Sequence, residues 1–446
     1  MKNNVYPENG SIVIVDNQID EAIPLMKVLS KNGIPFKYFN GKAEELPDGP
    51  LDNVRIVFLD IELEGMEGVT ADKTKLSTLA NVISRIVTRK CQPYIIIAWT
   101  KHQELVNNLN EYLKGLSPLF ILPIDKSKCK VNGSDEFDIQ EVSKQLDEKI
   151  KELGCFEFFL KWQNISNRSS GKIINDISSI YPFDGKWNNN TNNLLVKLAD
   201  AYAGKQVDND NVWKYAMLSF NSLFLDIIES DIFTDNLDTD KNMDLPQQPD
   251  LDDINIIGEI NRRLHISIEN NNKPVPGNIY TIDKKSPTYC NLIENMDFYG
   301  KKYFKKIKEN IKDFNKGDEQ LMKKIETILI GHIDVLPEDM KDIYLEVSPF
   351  CDYAQKKWKK SRILSGVMCP IKYEDYIKKA DYIYKTPLFR IDNNLYYFVF
   401  DIRLLTSIEI EKLNDLKSTM RIRKELLNDI QTKIAGHINR LGITSL

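Results

Sequence analysis

The sequence predicts a multidomain chain in three parts. It opens with a doubly wound α/β domain on a five-stranded parallel sheet, continues through a helical module, and ends in an α+β or small β-barrel domain. Three observations predict this. Four short apolar runs near the amino terminus stop at chemically useful side chains: Ile12 to Val15 before Asp16-Asn17, Val57 to Leu59 before Asp60, Tyr94 to Trp99 before Thr100, and Phe120 to Leu122 shortly before Lys126. Amphipathic segments lie between these runs, the alternation that stacks βα units into a parallel sheet with helices on both faces. The 446 residues are also too many for one core, since a domain holds roughly 100 to 200.

In chain order, residues 1–153 form the first domain. Leu76, Leu79, Ala80, Ile83, Ile86 and Val87 make one helical stripe, and Ile139, Val142, Leu146, Ile150 and Leu153 make another. Five strands and five helices fit this length. Residues 154–234 read as a helical module, with helices over Phe156 to Ile165, Leu194 to Ala203 and Val212 to Ile228. Its aromatics Phe156, Phe158, Phe159, Trp162, Trp213, Phe220 and Phe224 recur at helical spacing and are expected in its core. Residues 235–253 read as an acidic linker: from Asp231 to Asp253 there are eight aspartates against one lysine, with Pro246 and Pro249. In residues 254–446, Ile343 to Val347, Ile363 to Met368, Leu388 to Ile391 and Leu395 to Phe400 read as strands, the last two joined by a turn at Asp392-Asn393-Asn394. Ile422, Leu426, Leu427, Ile430, Ile434 and Ile438 share one face of a terminal helix, with Gly442 beyond it.

A formal net charge of -5, from 60 basic and 65 acidic residues, gives no global pull toward nucleic acid or an anionic membrane. Six scattered cysteines without a CxxC pair, and only four histidines, argue against a structural zinc site. No amino-terminal signal peptide is visible, and no apolar run nears the ~18 residues that cross a bilayer. The expectation is a soluble intracellular chain with no membrane partner and reduced thiols.

All strands of a doubly wound sheet point one way, so their carboxyl ends meet at one edge. Asp16, Asn17, Asp60, Thr100 and Lys126 would therefore gather although they span more than 100 positions. An aspartate attacks a phosphoryl group only when a cation shields the repulsion between them. Mg²⁺ does this, held by Asp16, Asn17, Asp60 and the main-chain carbonyl of Glu62. Thr100 would donate its hydroxyl to a bound phosphoryl oxygen, and Lys126 would neutralise another as a compact charge.

On these residues, 11–153 resembles a receiver domain of bacterial two-component response regulators. The match comprises Val15-Asp16-Asn17, the turn Asp60-Ile61 followed by Gly65-Met66 and Gly68, the threonine ending strand four and the lysine ending strand five. The resemblance implies a flavodoxin-like fold, with Asp60 as phosphoacceptor, Thr100 as switch hydroxyl, Lys126 as phosphate-sensing amine and Mg²⁺ as cofactor. It also implies a bacterial-type cytoplasm, a histidine kinase or other phosphodonor as partner, and homodimer contacts through the last receiver helix, Ile139 to Leu153.

The chain departs from the family pattern at several positions. Asn17 replaces the second acid and removes a negative charge from the metal site. Lys101 follows the threonine where a small residue is usual, crowding the phosphoryl entrance or adding a cation there. Ser127 stands where the family has proline, and Glu64 replaces the turn proline. A degenerate receiver that takes no phosphate is the competing reading.

Beyond the receiver there is no recognition-helix signature, no GxxxxGK loop and no H-x-x-x-H spacing. Cys351-Asp352 after a strand would suit a nucleophile, with His265, His332 or His437 as base; a buried thiol and a capping acid is the preferred reading. Arg262-Arg263, the run Lys356 to Lys360 around Trp358, and Arg421, Arg423 and Lys424 would suit nucleic acid, though solvated helix faces are preferred. The whole is loosely similar to effectors of bacterial conflict and phage-defence systems. The expected function is a phosphorylation-controlled signalling protein with an uncharacterised output. A nuclease-like effector enzyme and an adaptor with a degenerate receiver are the alternatives.

Overall fold

In the computed structural model the described residues are 11–63, 72–88, 93–101, 106–131, 134, 136–151, 156–203, 207, 209–234, 253–268, 274–282, 339–354, 359–414, 416 and 418–439. They fall into two compact units, one comprising Met1–Ile174 and Asp226–Leu245, the other Asn175–Leu225 and Pro246–Leu446.

The first unit holds five parallel strands, β1 (Ile12–Val15), β2 (Phe36–Phe39), β3 (Ile56–Leu59), β4 (Ile95–Thr100) and β5 (Ile121–Asp125), in the order β2-β1-β3-β4-β5. This order is compatible with a flavodoxin-like fold. Period-two alternation splits each central strand between two cores. Val13, Val15, Val57, Leu59, Ile96 and Ala98 face α2 (Asp72–Ile86) and α3 (Val106–Tyr112). Ile12, Ile14, Ile56, Phe58, Ile97 and Trp99 face α1 (Ile19–Lys31) and α4 (Ile139–Lys151). Both faces of the inner strands are therefore apolar, as buried parallel strands must be.

Four α-helices, not the expected five, serve the connections described within residues 11–151. The crossover from β2 to β3 is all described, and residues 40–55 form turns. Gly41, Pro47, Gly49 and Pro50 break that segment before a helix can propagate. Helix α1 stops at Gly33, whose φ of 67° admits the left-handed turn. The Gly33 amide donates to the Ser30 carbonyl at 3.0 Å and the Ile34 amide to the Leu29 carbonyl at 2.9 Å, closing a Schellman motif. The chain is thereby turned into β2.

Helix α5 (Phe156–Ser178) packs Phe156 into the second of these cores. Within the same unit, Asp231 of α7 (Val212–Thr234) accepts from Ser169 at 2.9 Å and from Lys172 at 2.5 Å. In the second unit, α6 (Trp187–Ala203) meets α7 around Ala199, Ala203, Tyr215 and Ala216. The aromatics of this region correct the expectation of a buried stripe. Phe156 is buried and Phe220 and Phe224 are half-buried, but Phe158, Phe159, Trp162 and Trp213 are exposed, Trp213 by 66%. Helical spacing puts side chains on one face; it does not supply a second element to cover that face.

The second unit also contains α8 (Ile254–His265), α9 (Phe350–Ala354), α10 (Ile410–Asn414) and α11 (Lys424–Ile438). Its antiparallel sheet is curled and eight-stranded: β6 (Ile266–Ser267), β7 (Asn278–Thr281), β8 (Lys341–Glu346), β9 (Lys360–Pro370), β10 (Ile383–Lys385), β11 (Phe389–Ile391), β12 (Asn394–Glu409) and β13 (Ser418–Ile422). Leu426, Leu427, Ile430 and Ile434 of α11 seal one face of this sheet. Ile422, expected on that helix, ends β13 instead. The hairpin turn is two residues, Asp392 and Asn393, with φ of 48° and 65°, and Asn394 already pairs with Ile391. That is the positive-φ turn that matches strand twist. Strand β12 runs well past the expected Phe400, because Arg403 grips the buried Asp401 carboxylate at 2.9 and 2.6 Å and lets an acid stay in the sheet.

At Gly366 the backbone of β9 comes close to β12. A Cβ there would sit 2.4 Å from the Phe400 ring and 2.5 Å from the Val399 carbonyl oxygen. Since backbone cannot yield as a side chain does, Gly366→Ala is expected to cost about 1 to 3 kcal/mol. Equilibrium urea unfolding of the full chain checks this, and an unchanged midpoint would contradict it.

Candidate functional site

The carboxyl ends of β1, β3, β4 and β5 bring four of the sequence-selected side chains to one edge, and all four are buried: Asp16, Asp60, Thr100 and Lys126. Strand order reverses around β1, so the edge between β1 and β3 is where a doubly wound sheet opens a crevice.

Asp16 is fixed by its backbone: its amide donates to the Phe39 carbonyl at 3.1 Å, and its carbonyl accepts from the Tyr38 hydroxyl at 2.8 Å. Its Oδ1 accepts from the Gln18 amide at 2.9 Å. Asp60 extends the β1–β3 ladder through its amide, 2.8 Å from the Val15 carbonyl, and its Oδ1 accepts from the Glu62 amide at 3.2 Å. Lys126 leaves β5 into a 3₁₀ turn over Lys126–Cys129, capped by Asp125, whose Oδ1 accepts from the Ser127 amide at 2.9 Å. This cap restrains the lysine loop at Ser127. Thr100 ends β4 in register with Asp125.

The Lys126 ammonium is the centre of the arrangement. Its Nζ lies 2.9 Å from Asp16 Oδ2, 3.0 Å from Asp60 Oδ2 and 2.8 Å from Glu21 Oε2. Glu21, in the first turn of α1, was not selected from the sequence. An acid there reads as an ordinary partner of the helix dipole. Lys101 is also drawn in: its Nζ lies 2.6 Å from Glu21 Oε1, at the half-exposed mouth of the site.

Two further predicted ligands lie at the same edge. Asn17 follows Asp16 at the same strand end and is half-buried. Glu62 contributes its backbone, while its side chain turns outward, 3.8 Å from Lys75. Glu64, Gly65, Met66 and Gly68 of the turn lie outside the described residues.

Electrostatics follow from burial. Desolvation pushes the Asp16 carboxyl up to about 6, the nearby Asp60 charge adds to this, and Lys126 opposes it. Asp60 is also raised, mainly by burial and against the pull of Lys126. Burial would raise Glu21 as well, but hydrogen bonds from Lys101 and Lys126 outweigh it and hold Glu21 below the usual range. Burial would lower Lys126, yet the Asp60 and Asp16 charges prevail and keep it protonated.

Asp16, Glu21 and Asp60 each offer a carboxylate oxygen, all within 4.8 Å of one another, a hard-oxygen set that could hold a metal ion. Asp16 and Asp60 are among the ligands expected; Glu21 is new.

Elsewhere, Arg262 and Arg263 both pair with Glu259, at 2.6 and 2.8 Å, so one carboxylate offsets half the charge of that basic doublet. Asp352 lies 3.9 Å from Arg362, both half-exposed, whereas His332 and residues 355–358 lie outside the described residues. The Cys129 and Cys369 thiols are buried, which pushes them up to about 11 and about 12, so each behaves as a small apolar side chain. Among the described residues, no helix is long and apolar enough to cross a membrane. No family model matches the chain, and no curated protein matches it in sequence.

Proposed function

We propose that residues 11–153 act as a receiver: a phosphoryl group passes from a histidine kinase, or a small phosphodonor, to Asp60, and the modified site regulates the remainder of the chain. The observation that carries this reading is the meeting of Asp16, Asp60 and Lys126 within 3.0 Å contacts at the switch-point edge of the sheet, with Thr100 ending the adjacent strand. In the transfer, an Asp60 carboxylate oxygen forms a bond to phosphorus as the bond to the donor's leaving oxygen breaks, and that oxygen departs with the electron pair. Mg²⁺, when bound, supplies the charge that lets one anion approach another; Asp16, Asn17, Asp60 and the Glu62 carbonyl would hold it. Thr100 and Lys126 would then shift toward the new acceptors and carry their strand-end loops with them. The helix α4 face is the surface through which a second copy or a partner would sense the change. The output, in a bacterial conflict or phage-defence setting, stays with the carboxy-terminal region.

Incubation with acetyl phosphate and Mg²⁺, followed by intact-mass spectrometry, is expected to show one phosphoryl adduct that Asp60→Asn abolishes. A second reading, an adaptor with a degenerate receiver, is favoured by one observation: the Lys126 ammonium is already satisfied by three carboxylates without any phosphate. Absence of the wild-type adduct would decide for the adaptor.

A further inference from the structure

We propose that Glu21 is a built-in latch on the phosphoryl site: its carboxylate bridges Lys126 and Lys101 and must yield them before a phosphoryl group on Asp60 can use either ammonium. The inference rests on the receiver reading of Asp60 and adds a positioning residue that the reading does not itself require.

Three observations carry it. Glu21 Oε2 lies 2.8 Å from Lys126 Nζ while Oε1 lies 2.6 Å from Lys101 Nζ, so one carboxylate spans both cations. An ammonium has three N–H donors; those of Lys126 donate to Asp16 and Glu21, and Asp60 Oδ2 lies in ion-pair contact at 3.0 Å. Asp60 is the acceptor itself, so an incoming phosphoryl oxygen competes for Lys126 with Asp16 and Glu21. Glu21 is the one to go. Asp16 is nearly inaccessible and held by the Gln18 amide, whereas Glu21 is 15% exposed and has Lys101, 41% exposed, as a second cation outside.

The latch is also tied to the rest of the switch. Trp99 Nε1, at the end of β4, donates to the Glu21 main-chain carbonyl at 3.2 Å. Release of the Glu21 side chain is thus felt in the first turn of α1 and at the strand end bearing Thr100 and Lys101. The titratable groups facing Glu21 are Lys126 from the turn after β5, Lys101 from the end of β4, Asp16 from β1 and Asp60 from β3.

The chemical step is the one above: the Asp60 oxygen–phosphorus bond forms, the phosphorus–oxygen bond to acetate breaks, and acetate leaves with the electron pair. Glu21 touches neither reacting atom. It acts by withholding Lys126 and Lys101, and removal of one charge-assisted contact to an ammonium is expected to change the rate about tenfold.

The test measures phosphoryl uptake by the full chain from acetyl phosphate at fixed Mg²⁺, read by intact mass over time, for wild type, Glu21→Gln, Glu21→Asp, Lys101→Ala and the Glu21→Gln/Lys101→Ala pair. The latch predicts about tenfold faster uptake in Glu21→Gln, with an intermediate rate in Glu21→Asp, whose shorter side chain cannot bridge both lysines. It predicts slower uptake in Lys101→Ala, where Glu21 leans wholly on Lys126. That slowing disappears once Glu21 is also neutral, a coupling that a merely structural role would not produce. Glu21→Gln uptake equal to or slower than wild type overturns the latch; slower uptake would instead mark Glu21 as a cation ligand. A wild type that takes no phosphoryl group fails the receiver reading as well, and is thereby distinguished from failure of the latch alone.

Discussion

Lys126→Met is expected to destabilise the amino-terminal unit by about 3 to 5 kcal/mol at neutral pH, the cost of leaving buried charges without their counter-ion. Methionine fills much of the same volume, so the loss reports charge and not a cavity. Asp16, Glu21 and Asp60 would then repel one another across less than 5 Å, with the peripheral Lys101 to offset them in part. The carboxyls relieve this by binding protons, and Asp16, already raised to about 6, is poised to do so. The penalty should therefore be largest well above pH 6 and shrink toward pH 5. Millimolar Mg²⁺ should recover part of it in the variant, because a divalent ion restores the missing positive charge among the same oxygens. Urea midpoints at pH 7.5 and pH 5, with and without Mg²⁺, check these expectations. A loss below about 1 kcal/mol at pH 7.5 would mean that the cluster is not a set of desolvated charges.

The second large effect belongs to Glu346. This side chain is fully buried on β8; its Oε1 accepts from the Ser348 amide at 3.1 Å, and its Oε2 has no hydrogen-bond partner among the described residues. Burial pushes its carboxyl up to about 7, partly offset by Ser348 and by the charge of Arg362. The sign follows directly. The folded chain holds a proton that the unfolded chain releases near the ordinary glutamate value, so stability is full in acid. It is lost as pH rises from the unfolded value through about 7. A shift of this size is worth on the order of 3 kcal/mol between pH 4 and pH 8.5. Glu346→Gln keeps the shape and cannot ionise, so the wild-type-minus-variant difference in urea midpoint should decline steeply across that range. Parallel pH profiles for the two proteins would refute the assignment.

How much of this was readable beforehand differs by element. Asp16, Asp60, Thr100 and Lys126 were legible because a strand end in a parallel sheet is both a sequence signal and a location. Glu21 was not, because it sits on a helix turn, where an acid is unremarkable until its neighbours in space are known. β2, Phe-Lys-Tyr-Phe, is a half-buried edge strand with no reactive residue to mark its end, and no strand had been assigned to it. The missing helix between β2 and β3 was expected on length, against the local chemistry of two glycines and two prolines. The length of β12 was hidden by Asp401, an acid that reads as a strand terminator until Arg403 is seen to satisfy it. Phe158, Phe159, Trp162 and Trp213 show the limit of periodicity, which assigns side chains to a face without naming what covers it.

The order of strands in the carboxy-terminal sheet sets a schedule for biosynthesis. β13 pairs with both β6 and β7, joining Arg421 to Ser267 and to Asn278, so two strands wait for one made well over 100 residues later. The 392–393 hairpin can close as soon as it leaves the ribosome, whereas β7, once paired with β8 on one side, keeps its other edge open, as does β6, until β13 has been made. An interrupted translation product ending short of β13 would carry two unsatisfied edges and the apolar face meant for α11, which makes it a ready substrate for chaperones and for aggregation.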